Sequence, residues 1–476
     1  MIKFARLLYV SFALLFIIAI SFGLKLSYVL KINPLSKLLE SILKFILSFS
    51  GVVFVKIAQS LSLKRYLIGE RLSKSLSSLQ EKSFGKQKSF NYIKKFVKQD
   101  FQSNNIDIDV IHQKNILNNN QNFYGKPILI LQNKKPDFSG SIANIYKCKL
   151  ISQENKESFV ALKIVKIWLK KQTIADLEIF LSIAKFLNYF NKFKKLELPL
   201  IIENVSKITI NEFDMQMELN NSYLLKSNLV FKENKHQNIF NFRIPIIYDE
   251  FSTKSILMQE WIDGLSLINI LNKDQMTLDK KVRHKIAKSI ILLYLEQVYN
   301  DGCFHADLHL GNIIYCKSQE CLYLVDCGNV SQISKKDRMA VAKILYFFIA
   351  KNYKKATIEY IKAGYISSNV DVNLFSNELQ KLATKAIKSN CDSNVMDVSS
   401  VINSVIEITQ KFNLKVQPQL LMLQKTILYV EASVYQIDSN FDVWSTIIPW
   451  MKQWSWNNST LKQKIKTIFT KLLRKI

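Results

Sequence analysis

Glycine and proline are scarce in this chain, at 11 and 7 of 476 residues. That excludes collagen-like, proline-rich and propeller architectures, which need one or the other in quantity. Cysteine is rarer still, with six, at 148, 303, 316, 321, 327 and 391. None forms a C-x-x-C pair, so neither a disulfide ladder nor a structural zinc site follows, and a reducing compartment fits best. There is no internal repeat. Acidic residues are also short, 38 against 66 Lys and Arg, for a formal net charge of +28. Such an excess suits nucleic acid or an anionic membrane surface, although Lys, Asn and Ile abound throughout and compositional drift gives the same balance. The lysines are dispersed and no zinc-finger, RNP or basic-zipper pattern accompanies them, so no nucleic acid is expected as partner. Hydrophobic residues at 48% and charged residues at 22% exclude wholesale disorder. A mean hydropathy near zero is high for a soluble enzyme and low for a multi-span transporter, which favours a membrane-associated globular protein.

One long apolar run is present, Leu7 to Leu24, flanked by Lys3, Arg6 and Lys25. It just reaches spanning length. No small-x-small cleavage site follows, which argues against a signal peptide, and a buried or membrane-surface helix is the remaining alternative. Residues 1–24 are read as a membrane anchor, with lysines on both sides weakening any orientation. Residues 25–122 read as a helical extension, with apolar positions at three- and four-residue steps to about 100 and a polar, Asn-rich connection over 101–126. From Ile128 the pattern changes to short β-type runs (PILIL, SIANIYKCKL, SFVALKIVK). A helix from about Asp176 to Lys195 and another over NEFDMQMELNNSYLL follow, then the strand-like RIPIIYDE and SILMQEWIDG. Residues 123–264 form a mixed β lobe. Residues 265–450 form a larger helical lobe, apart from NIIYC and CLYLVDCG, and 451–476 form a tail. The fold class is α+β with two lobes.

The strongest chemical pattern is His305-Ala-Asp307-Leu-His309-Leu-Gly-Asn312, followed by Asp326-Cys-Gly328. An Asp, then an Asn, then a second Asp suits phosphoryl transfer. One carboxylate orients or deprotonates the acceptor hydroxyl, while the Asn and the second carboxylate hold Mg²⁺ against the transferring phosphate. The H-x-D-x-H spacing also permits zinc, but no further His cluster completes such a site. A purely structural polar loop is the other alternative. Upstream, Val160-Ala-Leu-Lys163 places a lysine on an aliphatic strand, where it would reach ATP phosphates if an acidic helix residue fixes it. Glu218 is the preferred partner, and Glu212, on a nearby turn of the same helix, competes. No G-x-G-x-x-G precedes the lysine. The phosphate-covering position instead reads Asp137-Phe138-Ser139-Gly140-Ser141-Ile142-Ala143-Asn144-Ile145, a stiffer loop with one glycine. The two-lobed layout is thus protein-kinase-like.

These residues resemble the UbiB family of atypical protein-kinase-like proteins, whose members are associated with ubiquinone biosynthesis. Its K-x-G-Q motif is similar to Lys56-Ile-Ala58-Gln59, with the later L-Q at Leu79-Gln80. Its Ala-rich loop is similar to Ser139-Gly140-Ser141-Ile142-Ala143-Asn144-Ile145, and its E-L-x-x-x-x-E-x-x-N helix to Glu212 through Glu218 to Asn221. HADPHPGN reads HADLHLGN here, and Phe412 to Gln436 looks like bacterial UbiB itself. The likeness covers roughly residues 40–456. It implies that Lys163 binds nucleotide phosphates and pairs with Glu218. Asp307 takes the catalytic-Asp place, Asn312 and Asp326 hold metal, and Lys56 and Gln59 fold over the nucleotide site as a regulatory element. ATP and Mg²⁺ are the implied cofactors. Prenylated quinone precursors and other ubiquinone-biosynthesis proteins are the implied partners, and the bacterial inner membrane the location, with the catalytic lobes cytoplasmic. In the family the extension is thought to occlude the protein-substrate groove, so ATP hydrolysis coupled to handling a quinone precursor is expected rather than protein phosphorylation.

Three departures stand out: Ala58 for glycine, Leu308 and Leu310 for the two prolines, and a basic tail in place of apolar spanning segments. In that tail Leu461, Ile465, Ile468, Phe469, Leu472 and Leu473 form a helical stripe among lysines, beside Trp450, Trp454 and Trp456. A lipid-interface helix on an anionic leaflet is expected there. Two rival functions remain at this level. H-x-D-L-H-x-x-N also resembles aminoglycoside and choline kinases, which lack the helices before the β lobe. A non-catalytic nucleotide- or lipid-binding scaffold is the other, and retention of Asp307, Asn312 and Asp326 argues against it.

Overall fold

The structure is a computed structural model that describes residues 2–30, 33–62, 88–113, 126–190, 198–230, 239–272, 278–388 and 418–457. The chain divides into two compact units. One is Met1–Asn220 with Pro245–Trp261, and the other is Asn221–Ile244 with Ile262–Ile476. The division differs from a simple cut at Gly264, because residues 221–244 join the second unit.

In the first unit β1 (Asp109–His112), β2 (Ile128–Leu131), β4 (Ala143–Ile151), β5 (Glu157–Val165) and β7 (Ile256–Glu260) pair in that order, and β3 (Phe138–Ser139) pairs with β4. The period-two pattern of β5 sends Val160, Leu162 and Ile164 to a core face, where they meet Ile93, Val97 and Phe101 of a helix at Phe90–Ser103. The opposite face carries Phe159, Ala161 and Lys163. The segment 101–126, expected to be an irregular connection, contains β1, which runs parallel to β2. Its strand and the Phe90–Ser103 helix share the sheet's core, so the extension is neither wholly helical nor separate from the β lobe.

A second core in this unit is built by α1 (Ile2–Val29), α2 (Asn33–Ser50) and α3 (Val52–Ser62) with later helices at Ile167–Leu187 and Leu198–Asn211. Gly51, at φ +125°, makes the break between α2 and α3 in a backbone region that side-chain-bearing residues avoid. The helix expected from Asp176 starts earlier, at Ile167, directly after β5. The single helix expected over 211–225 is instead two: a turn at 212–214 separates Leu198–Asn211 from Met215–Val230, and Asp214 Oδ1 accepts the amide of Gln216. Glu212 is therefore in that turn rather than on the helix of Glu218.

The second unit pairs β6 (Asn241–Arg243), β11 (Cys321–Leu324), β10 (Ile313–Cys316) and β8 (Leu265–Ser266), and separately β9 (Cys303–His305) with β12 (Val330–Gln332). Its helices include Lys280–Leu295, Pro418–Ile437 and Val443–Asn457, whose apolar faces meet in one core with Phe304, Leu308 and Leu324. Trp450, Met451 and Trp454 are buried in that core, and the Trp450 indole donates to Glu296 Oε1 at 2.8 Å. This corrects the expectation for the tail: residues 451–457 complete a core helix, and these two tryptophans do not face lipid. The basic stripe from Leu461 onward lies outside the described residues. Five cysteines, 148, 303, 316, 321 and 327, are buried free thiols.

Candidate active site

In the first unit Lys163, buried on β5, meets the carboxylate of Glu218 at 2.8 and 2.7 Å. Both side chains are almost sealed from solvent, 9% and 4% exposed. The ammonium is thus held by both carboxylate oxygens, and a fixed, desolvated cation is the natural anchor for a phosphate chain. Glu212 takes a different partner: it pairs with Lys56 of α3. Ala58 is buried in the core of helices there, so its methyl group packs against protein. Gln59 lies on the same helix, and its side chain lies outside the described residues.

The stretch Asp137 to Ile145 forms a hairpin pinned at its base and its tip. Asp137 accepts the Lys147 amide at 2.7 Å and the Asn133 side-chain amide at 2.8 Å. Phe138 and Ser139 pair with Ile145 and Asn144, and Gly140 N–H donates to Ala143 O. Ser141, Ile142, Ala143 and Asn144 are buried, leaving Phe138 and Gly140 exposed. The loop is tied down by Lys166, which the motifs do not indicate. Its buried amine donates to Gly140 O at 2.6 Å and to Ser139 Oγ at 3.2 Å. Burial lowers its pKa to about 8. A lysine after an aliphatic strand looks ordinary in sequence, and only its single-residue distance from the strand end hinted at the loop.

A second feature escaped the motif reading. Lys147, opposite Ala161 in register, sits 4.7 Å from the Phe159 ring centre and 5.0 Å from that of Trp261, and Phe138 stacks on Trp261 at 6.2 Å. These rings flank the β5 face that carries Lys163, and flat, half-exposed aromatics beside a cation suit a planar ligand.

In the second unit the β10–β11 hairpin sets the acidic loop. Its register pairs Ile313 with Leu324, so Asn312 and Val325 follow at the open end and Val325 N–H donates to Asn312 O. Asn312 and Asp326 are thereby brought to one end of the hairpin. The Asn312 side-chain amide donates to Asp307 O at 3.1 Å, and Asp326 Oδ1 accepts Gly328 N–H. His305 ties together the two loops of this site: Nδ1 accepts the Asp307 amide and Nε2–H donates to Asp326 O. Burial depresses the His305 pKa, keeping the ring neutral, which this donor–acceptor pattern requires. With both its nitrogens engaged, His305 offers no lone pair to a zinc ion, and His309 Nδ1 accepts Gly311 N–H. Leu308 and Leu310 are buried in the unit's core, so the residues replacing the prolines anchor the loop by packing. Asn221 donates to Cys327 O at 3.0 Å, steadying the turn after Asp326.

Asp326 and Asn312 offer hard oxygen donors, the set that suits Mg²⁺ when phosphate oxygens and waters complete the shell. Among the described residues no group of three or more His, Cys, Asp or Glu could bind a metal alone.

Residues 127–360 match the ABC1 atypical kinase-like domain and residues 390–442 match the UbiB helical domain. The chain is 25% identical over 339 residues to a protein of Histophilus somni (strain 129Pt) named "Probable protein kinase UbiB", covering 70% of this chain and 60% of that one. It is 25% identical over 436 residues to the protein of the same name from Shewanella sp. (strain W3-18-1), covering 90% of this chain and 72% of that one.

Proposed function

The chain belongs to the UbiB family of ABC1 atypical kinase-like proteins, and from that premise we propose that it is a membrane-bound, Mg-ATP-dependent enzyme supporting ubiquinone biosynthesis. The observation that carries the reading is the buried, two-pronged Lys163–Glu218 pair, a phosphate anchor built on the strand of an ABC1 kinase-like domain.

The roles of the other residues follow from their chemistry. Mg²⁺ held by Asn312 and Asp326 would neutralise charge on the transferring phosphate. Asp307 orients and deprotonates the attacking hydroxyl or water, and His305 holds the Asp307 and Asp326 backbones in place. The Phe138–Trp261 stack and Lys147 receive the planar base. The Lys56–Glu212 pair fastens the K-x-A-Q helix to the turn before the Glu218 helix. ATP hydrolysis coupled to a lipid-dissolved quinone precursor, rather than phosphorylation of a protein, is the activity that the family membership favours. The candidate span Arg6–Leu24 supplies the membrane attachment.

ATP turnover by the purified full chain with Mg²⁺ tests this. Wild type is expected to turn over, Asp307→Asn to lose at least ~100-fold, and Lys163→Ala to weaken nucleotide binding. Equal turnover by wild type and Asp307→Asn would overturn the assignment.

A further inference from the structure

We propose that α1 lies in the plane of an anionic membrane leaflet instead of crossing the bilayer. This deepens the membrane part of the reading above and is separate from its nucleotide chemistry.

One face of α1 is committed to protein along its length. Val10, Ala13, Ile20 and Leu24, at helical spacing, are buried in the first unit's core of helices. Near the N-terminal end Arg6 grips Asp176 through two bonds of 2.7 and 2.6 Å, and that carboxylate is 2% exposed. At the other end Leu24 is 1% exposed. Arg6 to Leu24 spans ~27 Å at the helical rise, close to the ~30 Å hydrocarbon thickness. A helix docked at both ends of that span cannot cross without drawing its partners in. Those partners include the helix Ile167–Leu187, whose Lys171, Glu178 and Lys185 are exposed, and charges at bilayer depth are prohibitive.

The opposite face of α1 is apolar and uncovered: Leu8, Phe12, Leu15, Phe16, Phe22 and Leu26 are each at least half exposed. The neighbouring α2 adds Leu38 and Phe45. The occupant is fixed by charge. Through residue 50 the sequence has Lys3, Arg6, Lys25, Lys31, Lys37 and Lys44 against Glu40 alone. An exposed apolar face in a segment with this excess of cations, Lys37 being exposed on α2, matches a leaflet of anionic lipid, with acyl chains beneath and negative headgroups around.

Leu8, Leu15 and Phe22 are seven residues apart and share one face of the helix. Each is replaced singly by cysteine in the full chain and labelled with an environment-sensitive fluorophore. The protein is bound to phosphatidylcholine–phosphatidylglycerol vesicles containing nitroxides at shallow or deep acyl positions. The expected result is equal quenching at all three sites, dominated by the shallow nitroxide. A deep Leu15 between two shallow neighbours would show a spanning helix and overturn the proposal. So would three unquenched labels, whether a second copy of the chain covers them or water does. Phe12→Glu with Phe22→Glu is expected to lower vesicle binding at least ~10-fold while leaving ATP turnover unchanged. Absence of ATP turnover in the wild-type chain with the depth pattern intact would count against the nucleotide reading alone.

Discussion

Lys56 and Glu212, 156 residues apart in sequence, close one ion pair between α3 and the turn that precedes the Glu218 helix. The pair is 10% and 22% exposed, so it keeps much of its strength. Lys56→Met is expected to cost about 1–3 kcal/mol. The double variant Lys56→Met, Glu212→Gln is expected to cost less than the sum of the singles, by about 1 kcal/mol or more. Urea unfolding of the four proteins measures this, and strict additivity would mean that the pair contributes nothing.

The Lys163–Glu218 pair is buried far more deeply, and removing one partner strands a charge. Glu218→Leu is expected to destabilise by about 3–5 kcal/mol, and Lys163→Met, Glu218→Leu to recover most of that loss while remaining inactive. Stability restored without turnover separates anchoring of phosphate from support of the fold. A double variant as unstable as Glu218→Leu would show that the pair's packing, not its charge balance, matters.

Lys166 gives a pH dependence with a definite sign. Burial lowers its folded-state pKa to about 8 from an ordinary 10.5. Between those values the unfolded chain binds more protons, so the Lys166 contribution rises with pH across that window and is constant below it. Relative to Lys166→Met, wild type should gain up to about 3 kcal/mol from pH 8 to 10.5. Chemical denaturation of both proteins at several pH values checks it, and a flat difference would refute it.

His305 acts in the opposite range. Its folded pKa is depressed by burial, so its contribution is present above about pH 6.5 and is lost as pH falls through the folded value. Protonation also breaks the Asp307 N–H to Nδ1 bond. Melting temperature from pH 7.5 down to 5 is expected to fall more steeply for wild type than for His305→Gln. Parallel curves would contradict the neutral-ring lock.

What was legible in the sequence is the chemistry carried by short-range patterns. An aliphatic strand bearing Lys163, a loop with Asp307 and Asn312 before β10, and Asp326 just after β11 are where motif spacing places them. The pairing of Glu218 with Lys163 was legible, whereas the pairing of Glu212 with Lys56 was not. Glu212 and Glu218 read as one helix because no Gly or Pro marks the break, and the turn is made by Asp214 capping Gln216 and by the Met215 amide donating to the distant Lys254 O. The strand Asp109–His112 was hidden because four residues in an Asn-rich stretch gain their order from pairing with Ile128–Leu131, which local sequence does not encode. Trp450 and Trp454 looked interfacial because lysines follow them. Both are buried in the second unit's apolar core, where Glu296, far away in sequence, accepts a hydrogen bond from the Trp450 indole N–H. Lys166 and Trp261 were missed for the same reason: their partners lie across the sheet, at Gly140 and Phe138.

The most direct test is cellular ubiquinone in a strain lacking this protein, complemented with wild type or with Asp307→Asn at equal protein level. Restoration by wild type and not by Asp307→Asn is the result that follows if phosphoryl chemistry at Asp307 supports quinone synthesis. Full restoration by Asp307→Asn would contradict it.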